Sequence, residues 1–319
     1  MNQSTNSIKD EWFVIVNPHA GVGRGEKDWP EIKVLLNSNG ISFTHVFTEY
    51  REHAKELIKK AIHDGFRKII MVGGDGLLLE VVNGLFNQDM VKTKEILLGM
   101  IPLGSGNDWC RMYDIPFDYE KAIDLILKGK HFLQDIGSVE YMIDGEKRIR
   151  YFANIAGMGY DAFVNEKVNA QKDKGKGSKL IYLKNVLAGL MKYKSSAMTI
   201  DLDGKEINTE VFSLNVGICR YNGGGMKQCP FAIADDGLFD ITMIKKTTKW
   251  TVIKNVLKLY DGSFVKLPIV NTYTAKSVKV HSDPKTLLEA DGEFLGHSPI
   301  SFRIIPKSLK VIICGLPVE

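Results

Sequence analysis

The chain is short of cysteine, of net charge and of long apolar runs, and each shortage removes a class of protein. Its four cysteines, Cys110, Cys219, Cys229 and Cys314, form no Cys-x-x-Cys pair and have no histidine at zinc spacing. A disulfide framework and a zinc site are both unexpected, and buried free thiols in a reducing compartment are the expectation. The 42 Lys and Arg against 38 Asp and Glu leave a net charge of only +4. That is too little for a strongly basic nucleic-acid binder, so no nucleic-acid partner is expected, although a local basic patch remains compatible with an anionic membrane. No stretch reaches the roughly 18 apolar residues of a membrane span. The start, Met1 to Glu11, is polar and lacks the apolar core of a signal peptide, so the expected location is cytoplasmic. Repeats and low-complexity tracts are absent. So are two common phosphate-binding signatures: the glycines of Gly21-Val22-Gly23-Arg24-Gly25 do not fit G-x-G-x-x-G, and Glu26-Lys27 does not complete a Walker-type loop.

What is present describes a globular protein of two domains. The chain has 319 residues, more than the roughly 250 to 300 at which a single core stops growing. Its 44% hydrophobic and 25% charged content is ordinary for a folded protein. Strand-like and helix-like segments alternate at first: strands over Phe13–Asn17 and Phe43–Thr48, helices over Trp29–Leu36, His53–His63 and near Tyr119–Leu127. Such alternation predicts a parallel sheet with helices on both faces. After Gln134 the texture changes to short alternating segments, with Asp144-Gly145 and Asp203-Gly204 at hairpin positions. The second domain is therefore expected to be mainly antiparallel β, with a boundary near Leu133 and no long linker.

Two glycine turns in the first domain carry most of the functional signal. Gly73-Gly74-Asp75-Gly76 separates the apolar Lys68–Val72 from the periodic Leu78–Leu85, and Gly104-Ser105-Gly106-Asn107-Asp108 ends the apolar Leu97–Leu103. Each reads as strand, glycine turn, helix. Glycine lets backbone N–H groups approach a ligand, and a helix N-terminus adds positive potential, so phosphate suits both turns. Two such turns in one parallel sheet line the same edge, which is where open sheets bind ligands.

With Asn17-Pro18-His19-Ala20-Gly21 before them, Glu80 and Asn83-Gly84 behind the first turn, and Pro102-Leu103 before the second, these segments resemble the diacylglycerol kinase catalytic-domain family. That family includes bacterial lipid kinases, sphingosine kinases and ceramide kinases. The similarity continues in order through Ala234-Asp235-Asp236-Gly237-Leu238-Phe239-Asp240 and Glu289-Ala290-Asp291-Gly292-Glu293. It implies an α/β N-terminal domain with a parallel sheet, of the NAD kinase/phosphofructokinase-like kind, over residues 10–133. A β-sandwich lipid-substrate domain follows over 134–304, and residues 305–319 return to the first domain as an added strand. The implied activity is ATP- and Mg²⁺-dependent phosphorylation of a hydroxyl of a membrane lipid, diacylglycerol or a sphingoid base, in a cleft between the domains, with peripheral contact at the membrane surface.

The resemblance also assigns roles. Asn17, Gly21, Thr48, Gly73, Gly74, Gly76 and Ser105 become nucleotide contacts, and Asp75 binds the Mg²⁺ of MgATP or orients its ligands. Arg24 is a candidate to neutralise phosphate, with a solvated side chain the plain alternative. Phosphoryl transfer needs positioning and charge neutralisation more than covalent help, but the acceptor alcohol must lose its proton to a nearby carboxylate. Asp291 and Glu293 are the candidates, with Glu293 favoured; locally, Asp291-Gly292 is also a good hairpin turn. Asp236, with the main-chain oxygens of Ile233 and Leu238, becomes a structural Mg²⁺ site, since that ion takes oxygen ligands.

Two positions depart from the bacterial pattern: Leu77 and Leu79 stand where threonine and asparagine are usual. Leu77 with Glu80–Leu85, together with Gly104-Ser105-Gly106-Asn107, is similar to sphingosine kinases, which tilts the expected acceptor slightly toward a long-chain amino alcohol. Lys179–Tyr193, with Leu183, Val186, Leu187 and Leu190 at helical spacing among Lys184 and Lys192, reads either as a membrane-docking helix or as a helix packed on the core. The glycine-rich loop Tyr221–Met226 suits a lipid entrance or simply a tight turn. The rival functions are a soluble small-molecule kinase such as NAD kinase, which shares the Gly-Gly-Asp-Gly turn, and a non-catalytic lipid- or nucleotide-binding module.

Overall fold

The structure is a computed structural model and describes residues 8–104, 106–172 and 189–315, without the side chains of 167–172. Ser105 and most of the 179–193 helix expectation therefore lie outside the described residues. The chain divides into two compact units, one of residues 1–136 and 306–319, the other of 137–305.

In the first unit, strands β1 (Trp12–Val16), β2 (Phe43–Phe47), β3 (Lys68–Gly73) and β4 (Leu97–Pro102) form a parallel sheet in the order β2-β1-β3-β4. Lys310 and Val311 add a further parallel strand beside Leu97 and Leu98. Both faces of a parallel sheet are covered by crossover helices, which is why β1 and β3 read as unbroken apolar runs rather than alternating ones. Residues 13–16 and 69–72 are all buried. On one face Val14, Val16, Ile70, Val72 and Ile101 pack with Trp29, Ile32 and Leu36 of α1 (Ala20–Ser38) and Ile123 and Ile126 of α5 (Tyr119–Lys128). Helix α2 (His53–His63) packs on α3 (Asp75–Phe86), and Gly84 makes room for that approach, since a Cβ there would lie 2.2 Å from Ile58 Cγ2. The start of α1 is kinked, because Gly21, Val22 and Gly23 adopt left-handed angles, and the regular helix begins only after them.

The second unit is antiparallel. One sheet runs β11 (Val270–Ala275), β10 (Phe239–Lys245), β9 (Lys205–Gly217), β7 (Ile155–Gly159), β13 (Leu287–Ala290) and the start of β14 (Glu293–Ile313). The first half of β9 pairs with β8 (Ser196–Leu202), which pairs with β12 (Ser277–Asp283), which returns to β14 at Ile300–Arg303. Long strands β9 and β14 thus each serve both sheets. Phe152 and Phe239, stacked at 6.0 Å, and Phe302, edge-on to both, fill the interior. Strands β5 (Lys130–Ile143) and β6 (Glu146–Phe152) form a hairpin at Asp144-Gly145, and Asp203-Gly204 joins β8 to β9. In both turns the two central residues have positive φ, the two-residue geometry that Asp-Gly encodes.

Candidate functional site

The sequence places a glycine wherever two loops meet at the C-terminal edge of the first sheet. Strand β3 ends at Gly73, and Gly74, extended at φ −130°, leads into α3. Across from it Gly104 follows β4, and a Cβ on Gly74 would lie 2.7 Å from the Gly104 Cα. The two turns are in backbone contact, and no other residue type fits there. The loop after β1 joins them: a Cβ on Gly21 would fall 2.2 Å from the carbonyl oxygen of Leu103. Asn17 holds that loop, its Oδ1 accepting from the His19 N–H at 3.0 Å while its own N–H donates to Val72 O. Thr48, buried, follows β2 one strand further out and donates its N–H to Val16 O.

The first turn of α3 faces this edge. Leu77 and Leu78 donate their N–H groups to Gly74 O, whereas those of Asp75 and Gly76 find no acceptor among the described residues. A Cβ on Gly76 would meet nothing within 4 Å. This is the arrangement of an anion site: unpaired first-turn donors, open space and the positive end of a helix.

Asp75 has a role that the sequence did not disclose. Its carboxylate accepts from the Asp108 N–H at 3.1 Å and the Trp109 N–H at 3.2 Å, and so caps helix α4 (Asp108–Met112), the helix that follows the second glycine turn. Burial, and then the charge of Asp108, push its carboxyl up to about 6, against the lowering effect of those N–H bonds. The Asp108 carboxylate is buried and lies 3.7 Å from Arg111 Nε, which offsets part of the negative charge beside Asp75; oxygen ligands of this kind suit a hard cation. Leu77 and Leu79 are both buried. They occupy the packed side of α3, with Leu77 against Gly73, so the departure from threonine and asparagine replaces polar groups with core. Glu80 accepts from the Glu52 and Ala54 N–H groups and caps α2. Arg24 bonds to Asp28 and to the Tyr119 hydroxyl.

In the second unit, Asp291 and Gly292 are the positive-φ pair of the β13–β14 hairpin. The Asp291 carboxylate is buried and accepts three backbone N–H groups, Ala153 at 2.8 Å, Asn154 at 3.0 Å and Ile155 at 3.1 Å. Glu293 accepts from Arg150 at 2.9 Å, both side chains being largely covered.

Two residues before the turn lies a group that the sequence reading passed over. Glu289 is buried and accepts from Gly292 N–H at 3.0 Å, Asn222 Nδ2 at 3.2 Å and Asn165 Nδ2 at 3.3 Å. It ties the hairpin turn to the glycine-rich 222–226 loop and to α6 (Tyr160–Lys172). Burial, and then the nearby charge of Asp161, push its carboxyl up to about 8. Asp161 is itself raised by burial and accepts from Ser213 and Asn215. The one signal in the sequence was an acid between Leu288 and Ala290 on an otherwise apolar strand.

A carboxyl raised from 4.5 to about 8 on folding is protonated in the native state and ionised in the unfolded chain across that interval, so its share of stability is lost as pH rises from about 4.5 to 8. Glu289→Gln removes that loss. The variant is expected to gain on the wild type steadily between pH 5 and 8, on the order of a few kcal/mol, as read from thermal midpoints across the range. A constant difference would show that Glu289 is ionised in the fold.

Asp236 is exposed, its Oδ1 accepting from the Leu238 N–H at 2.9 Å, and Ile233 is exposed beside it. Asp240, buried, is pushed up to about 6 by burial and then by the charge of Asp236. The negative potential between these two carboxylates, with backbone carbonyls in the same loop, is chemically suited to a hard oxygen-seeking cation. Among the described residues no cluster of three or more His, Cys, Asp or Glu side chains forms a metal centre.

Comparison with known proteins follows the same division. Residues 11–139 match the diacylglycerol kinase catalytic domain, and residues 154–313 match the YegS C-terminal NAD kinase beta sandwich-like domain. The chain belongs to the diacylglycerol kinase catalytic-domain family. It is 28% identical over 300 residues to a diacylglycerol kinase of Mycobacterium tuberculosis, covering 93% of each chain. Among solved structures, a diacylglycerol kinase of Bacillus anthracis superposes with a TM-score of 0.70 at 21% identity, over 95% of this chain and 97% of that one. Yeast NADH kinase complexed with NADH superposes at 0.53 with 10% identity, over 98% and 84%. These two likenesses establish the fold: an α/β domain followed by a β-sandwich-like domain, as the motifs implied. No helix among the described residues is long and apolar enough to cross a membrane.

Proposed function

We propose that this protein is a lipid kinase that uses ATP and Mg²⁺ to phosphorylate a hydroxyl of a membrane lipid. The observation that carries this reading is the meeting of three loops, Asn17–Gly21, Gly73–Gly76 and Leu103–Gly104, at the edge of the parallel sheet, with first-turn donors of α3 directed at it. Asn17, Gly21, Thr48, Gly73, Gly74, Gly76 and Ser105 form the nucleotide side. Asp75 and Asp108 supply negative charge for the cation of MgATP. In the second unit, the 291–293 turn provides the acceptor's proton-accepting carboxylate, which we assign to Glu293, with Asp291 holding the turn through its three backbone bonds. Asp236, with the main-chain oxygens of Ile233 and Leu238, holds a structural Mg²⁺ and stiffens the loop before β10. The protein works in the cytoplasm, peripheral to the membrane that contains its acceptor.

The acceptor we propose is diacylglycerol. Relatives that cover nearly the whole chain are diacylglycerol kinases. The resemblance to sphingosine kinases lies in Leu77 with Glu80–Leu85 and in Gly104–Asn107, and of these Leu77 is buried on the helix that follows the turn. Transfer of radiolabelled phosphate from ATP, measured in mixed micelles, is expected to require added lipid and to give a higher kcat/KM with diacylglycerol than with a long-chain amino alcohol at equal surface concentration. A preference for the amino alcohol restores the sphingoid reading. Transfer to NAD without lipid replaces the lipid kinase with a soluble one, and absence of any transfer leaves a binding module.

A further inference from the structure

Beyond the two site regions, the most unusual surface of the second unit is a short helical segment. Helix α7 (Lys249–Asn255) and helix α8 (Lys258–Asp261) are joined by Val256 and Leu257 in helical backbone angles, so 249–261 runs as almost continuous helix. Its start is fixed by Thr248, whose side chain accepts the Thr251 N–H, and its end by Gly262 at φ 80°. Val252 faces inward and packs against the cluster of Tyr160, Val164, Leu190 and Phe212. Asn255 and Leu259, three and seven residues beyond Val252, are partly covered.

The opposite face is apolar and uncovered. Trp250 is 72% exposed and Leu257 77% exposed, with Ile253, Val256 and Tyr260 exposed beside them. Trp250, Ile253, Leu257 and Tyr260 are spaced three, four and three residues apart, which sets them on one stripe. A soluble surface rarely displays such a stripe without a partner to cover it. Lys254 and Lys258 are exposed on the same segment. Between residues 245 and 266 there are six lysines and one acid, Asp261, whose carboxylate accepts from the Ser263 N–H at 2.8 Å; Lys246 pairs with Glu210 at 2.8 Å and Lys249 donates to Met191 O, which leaves Lys254 and Lys258 facing out beside the stripe.

We propose that residues 249–261 are the surface by which the protein seats on an anionic lipid bilayer. The composition decides between occupants. A protein partner of matching apolar shape has no need of lysines with no acid facing them beside the patch, whereas a bilayer offers acyl chains to Leu257, Ile253 and Val256, an interface to the amphipathic rings of Trp250 and Tyr260, and headgroup phosphates to Lys254 and Lys258. The choice of a bilayer rests on the reading of the protein as a kinase of a membrane lipid. The location does not come from the sequence, in which the 179–193 segment was the docking candidate; Leu190 of that segment is buried in the cluster beneath α7.

The test uses the whole protein and phosphatidylglycerol–phosphatidylcholine vesicles in a sedimentation assay, with no ATP. Wild type is expected to bind vesicles increasingly with phosphatidylglycerol content. Trp250→Ser/Leu257→Ser and Lys254→Glu/Lys258→Glu should each lower the partition coefficient by roughly tenfold or more, and all forms should elute as the same oligomer. These residues are exposed, so the variants fold, and their turnover of monomeric dioctanoylglycerol should stay at the wild-type level. The inference is overturned if wild type ignores the vesicles, if the variants bind as wild type does, or if Trp250→Ser/Leu257→Ser only dissociates a dimer, which makes the face a contact between copies. Vesicle binding that depends on these residues, in a protein without phosphoryl transfer, upholds the docking surface and removes the kinase reading alone.

Discussion

Asp75→Ala is expected to abolish phosphoryl transfer, by a factor on the order of 10³ or more, while the protein remains folded. Asp75 sits at the start of α3 between two glycines, with its carboxylate on the N-terminus of α4. Removing it takes away a negative charge at the proposed MgATP site and releases the helix that carries Asp108. The structural part of the loss is that of a helix cap, about 1 kcal/mol, a few degrees of thermal midpoint at this size. Circular dichroism melts together with single-turnover rates at saturating lipid separate the two effects. A folded Asp75→Ala protein with wild-type turnover would remove the nucleotide site from the 73–76 turn.

The carboxylates of the β13–β14 turn are expected to divide their roles in a way that one pair of variants reveals. If Glu293 takes the acceptor's proton, Glu293→Gln lowers kcat by about 10²- to 10⁴-fold, about 3 to 5 kcal/mol of barrier, with ATP affinity unchanged. Both side chains of its pair with Arg150 are largely covered, but glutamine keeps an oxygen that can accept from the guanidinium, so the stability lost is that of a charge-assisted bond made neutral, about 1 kcal/mol. Asp291→Asn behaves differently. Its two oxygens accept from three main-chain donors at residues 153–155, and an amide turns one of those contacts into two opposed donors, at a cost of about 1 to 3 kcal/mol. The thermal midpoint should fall with the rate. If Asp291→Asn keeps its midpoint and loses its rate while Glu293→Gln turns over normally, the base is Asp291. Folded variants with wild-type rates at both positions would leave Asp291-Gly292-Glu293 as a hairpin turn only.

The sequence by itself determined what neighbouring residues can determine. Gly73 and Gly74 after an apolar run, followed by helical spacing from Leu78, specify strand, turn and helix because backbone freedom and side-chain period are local properties. Asp-Gly at 144 and 203 specifies two-residue hairpins for the same reason, through the positive φ that both residues tolerate. The unbroken apolar strands against the later alternating ones distinguished a parallel domain from an antiparallel one, and the order of five short motifs identified the family.

What tertiary structure decided is the partner of each side chain, which depends on residues distant in the chain. The Asp75 carboxylate meets N–H groups at 108 and 109, and Asp291 meets those at 153–155, so two acids that look alike as candidate chemical groups differ in how fully the backbone engages them. Leu77 looked like a change in a phosphate turn and proved to be core, because helix α3 turns that position toward Gly73. Glu289 opens the 289–293 motif with no role assigned to it and is buried, a matter of what covers the strand rather than of the strand itself. The same limit explains the stripe at 249–261. Helical spacing shows that Trp250, Ile253, Leu257 and Tyr260 share a face, but only the folded chain shows that Val252 takes the inward side and leaves that face to the outside, because burial is a relation between segments and periodicity is a property of one.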